Sequence, residues 1–173
     1  APNAEQDYVS LQSTEVLLNE NEVRAGLEAA AECKGLAALT SVYLADSVRV
    51  VEPGKPESAY ALVAAAEPLR PMTFREGGQS LGRDGIWLNT WLAADLGARA
   101  GSKIELAYFI PSRDGIPRKN CIELTVRGIV ELQGAARDPG LTPQIEGVTE
   151  AKRIDEWSLP FPIRRERIKQ RDE

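Results

Sequence analysis

Histidine is missing from all 173 residues of the sequence. The imidazole side chain is the commonest general acid or base, and Ser-His-Asp triads and His-ligated metal sites require it. Its absence excludes those sites and argues against an ordinary hydrolase. We predict that the chain is not an enzyme, and that it has no catalytic residues, no cofactor and no metal site.

Cysteine is scarce, since Cys33 and Cys121 are the only two and lie far apart in the sequence. Two thiols cannot complete a four-ligand zinc site, and the chain has no Cys-x-x-Cys motif. Two interpretations stay open: buried free thiols that pack as small hydrophobic groups, or a disulfide formed in an oxidising compartment. We expect free thiols, because nothing in the pattern brings these two positions together.

The sequence also lacks a long apolar run and an excess of positive charge. No apolar stretch approaches the roughly 18–20 residues that span a bilayer, and the polar start does not resemble a signal peptide. We therefore expect either a cytoplasmic protein or a soluble piece of a longer chain. The net charge of −5, with acidic and basic residues mixed, offers no basic field for nucleic acid and no polybasic membrane patch.

What the chain does contain is enough apolar material for a core, at 43% hydrophobic residues. Its length suits one domain, or two lobes that share a core. The division that we consider places residues 1–80 and 133–173 in one lobe. Residues 81–132 then form a small lobe made of a strand, a helix and a hairpin.

Residues 84–132 give the clearest local signals. Ile86 begins a short β-prone run, Asn89 is a good helix N-cap, and Gly97 suits the left-handed position that ends a helix. Leu92 and Leu96 lie on one face of that helix. Two alternating strands follow and predict a hairpin over residues 103–132. The apolar face of that hairpin carries Ile104, Leu106, Tyr108 and Ile110 in the first strand and Ile122, Leu124, Val126, Val130 and Leu132 in the second. The residues of this face that we expect to be buried are Ile104, Leu106, Tyr108, Ile122, Leu124 and Val126.

Other segments complete the predicted fold, which is α+β with mixed or antiparallel sheets built from hairpins and a few short packed helices. We predict one or two strands in residues 8–18, a helix over 22–33 that packs on a sheet, and a hairpin over 39–66. The apolar stripe of that helix is Val23, Leu27, Ala30 and Ala31. We expect an exposed linker at 68–83, an irregular segment at 133–149, a short helix at 149–157, extended chain at 159–163 and a charged end at 164–173.

Most residues that could belong to a functional site also have an ordinary structural role, in the core, in a turn or at a helix end. We interpret Trp87, Trp91 and Trp157 as core anchors, with a partner contact as the alternative for any that is exposed. The candidate carboxylates are Asp84, Asp95, Asp114 and Asp138. Asp84 and Asp114 precede glycine and suit turns, and Asp95 is near a helix end. Nothing in the sequence pairs these carboxylates as an acid and a base.

Two further patterns imitate known sites. Ser102 and Lys103 are adjacent, so on a strand their side chains point to opposite faces, which disfavours a Ser-Lys dyad. Residues 77–82 are rich in glycine, but a phosphate-binding loop needs a Lys-Ser/Thr pair at the start of the next helix, and none follows.

The order of several motifs resembles a known family. They are Ile86-Trp87-Leu88-Asn89, Trp91-Leu92-Ala93, Asp95-Leu96-Gly97-Ala98, Tyr108-Phe109, Leu124-Thr125-Val126-Arg127-Gly128, Val42-Tyr43-Leu44-Ala45-Asp46 and Tyr60-Ala61-Leu62-Val63, and near the end Asp138, Leu141, Pro143, Gly147, Trp157, Pro160-Phe161-Pro162-Ile163 and Asp172-Glu173. Together they resemble the extracytoplasmic region of FtsX-like ABC transporter permeases, which include MacB-type and lipoprotein-releasing permeases. The resemblance covers most of residues 39–173.

This resemblance implies a MacB-like periplasmic fold and a non-catalytic role. Such a domain couples a cytoplasmic ATPase to the handling of a substrate or partner outside the inner membrane. The implied partners are the ATP-binding subunit, through the parent transporter, and an extracytoplasmic protein or lipoprotein; a homodimer in the full transporter is compatible. The implied location is a parent chain in the inner membrane with this domain in the periplasm. The alternative is a free-standing soluble module that binds a ligand or protein. We expect partner contacts at residues 68–83 and 133–149, because loops carry recognition when regular elements form the core.

Overall fold

A computed structural model of the chain describes residues 2–3, 8–12, 18–67, 70–78, 80–110, 112, 115–141 and 165–167. Its elements are β1 (Pro2–Asn3), β2 (Tyr8–Val9), α1 (Glu20–Glu32), β3 (Thr40–Leu44), β4 (Ser47–Val50), β5 (Glu57–Ala59), β6 (Leu62–Ala66), β7 (Phe74–Gly77), β8 (Gly85–Asn89), α2 (Thr90–Leu96), β9 (Lys103–Ile110) and β10 (Arg118–Val130). Short 3₁₀ turns lie at Gly134–Arg137, Pro139–Leu141 and Arg165–Arg167. The predicted α+β class is confirmed.

A six-stranded sheet dominates the fold, with strand order β5-β4-β9-β10-β7 and with β8 pairing in parallel to β10. The hairpin predicted over residues 103–132 is confirmed: β9 and β10 pair antiparallel from Lys103 opposite Thr125 to Ile110 opposite Arg118. Strands from both sides of residue 81 enter this sheet, since β4, β5 and β7 lie before that position and β8, β9 and β10 after it.

The helix α2 begins and ends where the sequence predicts. The Asn89 side chain accepts a hydrogen bond from the Leu92 N–H at 2.7 Å, and Gly97 closes the helix in the left-handed conformation at φ 60°. Its inner face covers the sheet and completes the core. The core residues are Ala45, Val48, Val50, Leu88, Ala93, Leu96, Ala98, Ile104, Leu106, Val126 and Ile129.

The predicted burial of the β9–β10 hairpin is correct only near the sheet centre. Ile122 is 42% exposed, Ile110 and Leu132 are also exposed, and Tyr108 and Leu124 are half-buried. The strands continue past the area that α2 covers, so the alternation of apolar residues outlasts the core.

A bulge in β10 also changes which residue faces the core. The pairing with β8 shifts between Val126 and Gly128, and Ile129 then joins the core cluster; Val130 is also buried, at 7% exposure, but lies outside that cluster. An extra residue in a strand reverses the side to which later side chains point.

The hairpin predicted over residues 39–66 is present but bent. Its outer part, β3 with β6, forms a separate two-stranded sheet, whereas its inner part, β4 with β5, joins the six-stranded sheet. The bend falls at Ala45-Asp46 on one strand and at Tyr60-Ala61 on the other, where Tyr60 has a φ of 58°.

The prediction of an exposed linker over residues 68–83 is wrong for Phe74–Gly77, which forms β7 on the end of β10. Glycines permit this pairing, because a Cβ on Gly77 would lie 2.6 Å from the Arg127 carbonyl oxygen and one on Gly128 would lie 2.7 Å from the Gly78 nitrogen. Phe74 also packs edge-on against Trp87, with ring centroids 5.0 Å apart. The strand was missed because its residues do not alternate in hydrophobicity.

The helix α1 forms where predicted, with a capping box between Asn19 and Glu22, but it does not pack on the sheet as expected. None of its residues is buried, and Leu27 on its apolar stripe is 42% exposed.

A strand at Tyr8–Val9 is confirmed by its pairing with Pro2–Asn3. The helix predicted at 149–157 and the extended chain at 159–163 lie outside the described residues. Among the residues described, no helix is long and apolar enough to cross a membrane.

Candidate functional site

A cluster of four charged side chains and one tyrosine holds the bend of the first hairpin, and we call it the hinge cluster: Asp46, Glu57, Tyr60, Lys119 and Arg167. The side chain of Asp46 lies at its centre, in a residue that is only 6% exposed. Its two carboxylate oxygens accept from Lys119 Nζ at 2.6 Å and from Arg167 Nη1 at 2.8 Å. Arg167 also binds Glu57. The 3₁₀ turn at 165–167 is thereby attached to the sheet.

The electrostatics of this cluster favour an ionised carboxylate. Burial alone would raise the pKa of Asp46, but the hydrogen bonds and charges of Lys119 and Arg167 outweigh it and hold the pKa below its ordinary value. A buried charge is tolerated when its partners are in place, and removal of one partner leaves it uncompensated. The cluster therefore depends on Arg167.

The backbone at the bend is strained at Tyr60. A bulky residue at φ 58° is an outlier that costs on the order of 1 kcal/mol or more, and such residues persist only where their surroundings hold them. The carbonyl oxygen of Asp46 accepts both the Tyr60 N–H and Arg167 Nη2, each at 3.2 Å. The Arg167 guanidinium also lies 5.5 Å from the centroid of the Tyr60 ring, within cation–π range. One side chain thus contacts both strands of the bend.

An open apolar groove lies between the two sheets, beside this hinge. We call it the tyrosine groove; it is lined by Tyr43, Leu44, Tyr108, Phe109 and Ile122, and its volume is about 370 Å³. The two tyrosine rings lie 6.2 Å apart at a tilt of 59°. Partial burial, and then the neighbouring phenol of Tyr108, raise the pKa of Tyr43, so its hydroxyl stays neutral. The groove can bind apolar groups, with two phenols as hydrogen-bonding partners at its wall.

The three described carboxylates among those singled out from the sequence are not brought together. Asp84 lies in the turn before β8 as predicted, where a hydrogen bond from Arg127 at 3.0 Å lowers its pKa. Asp95 is near the end of α2, also as predicted. Asp138 accepts from Tyr8 Oη at 2.6 Å and from the Gly140 N–H at 2.8 Å, so it joins β2 to the irregular segment. Asp114 lies outside the described residues.

The two imitated sites have ordinary structural roles. The Ser102 hydroxyl accepts from the Arg99 N–H at 3.0 Å, while Lys103 pairs with Glu123 at 3.7 Å, so the two side chains have separate partners. The N–H of Gly78 donates to the Arg127 carbonyl oxygen at 3.0 Å and is therefore committed to the sheet rather than to a phosphate.

The aromatic anchors and the thiols only partly follow expectation. Trp87 is half-buried against Phe74, as an anchor should be, whereas Trp91 is 47% exposed on the outer face of α2 and fits the alternative of a partner contact. Trp157 lies outside the described residues.

Cys33 and Cys121 are free thiols, but both are exposed, so the interpretation that they are buried is wrong.

Neither the hinge cluster nor the tyrosine groove was predicted as a site. No single motif carries them, because Asp46, Lys119 and Arg167 lie on three distant segments. The usable signal was an acidic residue, Asp46, inside a β-rich run, since a carboxylate there needs a buried partner.

Within the described part of the chain, no group of acidic residues and cysteines could hold a metal ion. No protein-family model and no curated protein matches the sequence.

Proposed function

We propose that this chain is a non-catalytic extracytoplasmic domain of an FtsX-like ABC transporter permease, which couples a cytoplasmic ATPase to a partner or substrate outside the inner membrane. The motif order over residues 39–173 supports this proposal. The mixed α+β fold is compatible with a MacB-like periplasmic domain. The parent chain then lies in the inner membrane, and this domain lies in the periplasm.

The observation that carries the coupling role is the attachment of Arg167 to the bend of the first hairpin. In a permease of this kind, the ectodomain continues into membrane helices. A displacement that arrives through the C-terminal side would act first on the 165–167 turn, and then on Asp46 and Tyr60. The hinge cluster joins that turn to the large sheet through Glu57 in β5, and to the bend through Asp46 and Tyr60, which lie directly before β4 and after β5.

The surface on which a partner would act is the tyrosine groove together with the nearby irregular segment. The Pro139–Leu141 turn lies against β3, which supplies Tyr43 and Leu44 to the groove. A lipoprotein or an extracytoplasmic protein would bind there through apolar side chains. The partner would then contact both sheets, because Tyr43 and Leu44 lie in β3 whereas the other groove residues lie in β9 and β10.

The test is transport by the parent permease with Arg167→Gln. We expect a loss of transport with normal membrane insertion, because the glutamine removes the charge that attaches the C-terminal turn to Asp46. Arg75→Gln is the matched control: it removes another arginine–carboxylate pair, with Glu131 at 2.7 Å, at the β7 edge of the same sheet, away from the hinge cluster. Equal transport by the two variants, at equal levels in the membrane, would contradict the coupling role.

The alternative is a free-standing module that binds a ligand or protein through the same groove. The presence of the groove in the 173-residue chain itself is the observation that favours it. The two proposals differ in the parent polypeptide, which has apolar membrane segments directly beside residues 1 and 173 only if the permease assignment is right. Recovery of the native protein in the soluble fraction, at the mass of this chain, would favour the module.

A further inference from the structure

Among the described residues, one edge of the large sheet has no partner strand along the first half of β10. The two edges of that strand are distinguished by its hydrogen bonds: the Val126 N–H donates to Ser102, on the side of β9, at 2.9 Å, whereas the Thr125 N–H donates to Asp84, ahead of β8, at 2.7 Å. Neighbouring residues in a strand direct their backbone groups to opposite edges. The odd-numbered residues Lys119, Cys121 and Glu123 therefore direct theirs away from β9. We call this the outer edge of β10.

Nothing in the described part of the chain pairs with the outer edge between residues 119 and 123. All of these residues are exposed. The N–H of Cys121, at the middle of the edge, donates only to the side chain of its own neighbour, Asn120 Oδ1, at 3.0 Å. An exposed strand edge with accessible N–H and C=O groups is a template for another strand.

The charges along this edge complement a copy of themselves. In an antiparallel pair with its two-fold axis at Cys121, Lys119 lies opposite Glu123 of the second copy, and the same contact occurs again on the other side of the axis. We infer that the outer edge of β10 pairs with the same edge of a second copy, and that two large sheets join into one. Roughly six backbone hydrogen bonds would form between the two strands, since three residues on each direct their groups outward.

The intramolecular partners of these charges do not oppose the pairing. Glu123 pairs with Lys103 at 3.7 Å and both side chains are about half exposed, so this contact contributes little and can be exchanged. Lys119 lies 2.6 Å from Asp46, and an additional carboxylate would extend that pair. The pairing would also cover part of the exposed Ile122, because Asn120 of the second copy would lie opposite that side chain. The stretch of β10 that can pair with a second copy ends before Thr125, because the Thr125 N–H already donates to Asp84. This inference does not depend on the permease assignment.

Cys121 gives a direct test, because residues opposite each other at a hydrogen-bonded antiparallel position have Cα atoms about 5.5 Å apart, which is within disulfide range. The experiment uses the 173-residue chain with Cys33→Ser, treated with diamide and analysed without reductant. We expect a covalent dimer through Cys121 and, in the untreated protein, a concentration-dependent dimer by sedimentation equilibrium. The reciprocal variant, Cys121→Ser with Cys33 retained, should form no covalent dimer at matched concentration.

Charge variants show whether the dimer uses this edge. Glu123→Lys places like charges opposite Lys119 twice in each dimer, so we expect the dissociation constant to rise by about tenfold or more. Lys103→Glu is the matched control, because it breaks the same intramolecular pair but lies on β9, away from the edge. Circular dichroism verifies that both variants fold. A monomer at every concentration, a dimer that ignores Glu123→Lys, or a covalent dimer that forms equally well without Cys121 would each overturn the inference.

Discussion

Leu96→Ala tests the helix placement on which the core depends. Leu96 is on α2 and is fully buried, at 0% exposure, where the helix covers the six-stranded sheet. Its side chain belongs to the core cluster together with Leu88, Ile104 and Leu106. The substitution removes most of a buried apolar side chain without changing charge, so its effect reports packing alone.

The expected loss of unfolding free energy depends on how little the side chains around Leu96 can relax into the cavity. Burial of a leucine contributes about 1.5–3 kcal/mol by transfer from water, and a cavity adds to the loss, so buried Leu→Ala substitutions cost about 2–5 kcal/mol. Three of the surrounding side chains are on β8 and β9, whose backbones are fixed by the sheet. We therefore expect the upper part of this range, about 3–5 kcal/mol.

Urea unfolding, followed by tryptophan fluorescence, measures this loss. With a slope of about 1–3 kcal/mol per molar urea, the midpoint should fall by at least about 1 M. Trp91→Ala is the control on the same helix: its side chain is 47% exposed and lies outside the core cluster, so we expect a clearly smaller loss than for Leu96→Ala. Circular dichroism follows unfolding of that variant. A wild-type midpoint for Leu96→Ala would refute the position of α2 on the sheet.

Three further substitutions have defined outcomes. Gly97→Val should lower the free energy of unfolding by about 1–2 kcal/mol or more, because a β-branched side chain is forced to φ 60°; an unchanged urea midpoint would contradict the helix end. Gly128→Ala should destabilise the β7–β10 pairing, because the new Cβ would lie 2.7 Å from the Gly78 nitrogen; hydrogen exchange should accelerate in β7, and unaltered exchange would argue against this pairing. Asp46→Asn should cost about 1.5–3 kcal/mol at neutral pH. The folded-state pKa of Asp46 lies below its unfolded value of about 3.9. The stability that the Asp46 ion pair contributes is therefore present above that pH and is lost as the pH falls through the folded-state pKa. A pH-independent difference in stability between variant and wild type would exclude the ion pair.

Local chemistry predicted the elements whose signals are contained within a few residues. Asn89 and Gly97 bound α2, and alternation located β9 and β10. Each of these signals acts through neighbouring backbone groups, so it needs no knowledge of the tertiary structure.

What the sequence could not predict depends on segments that meet only after folding. The strand β7 exists because β10 offers it an edge, and Ile122 is exposed because the hairpin outruns α2. The hinge cluster has the same cause, since Asp46 lies 73 residues from Lys119 and 121 from Arg167. Periodicity reports which side of a strand is apolar, but not how far the opposing layer extends or which distant charge will be adjacent.

The two exposed thiols allow the central claim, an extracytoplasmic location, to be measured directly. Intact cells with a permeabilised outer membrane would be reduced and treated with a membrane-impermeant maleimide, and the labelled parent protein would then be isolated. We predict labelling of Cys33 and Cys121 before lysis, with Cys33→Ser and Cys121→Ser used to assign each signal. Labelling that occurs only after the inner membrane is broken would place the domain in the cytoplasm and contradict the permease proposal.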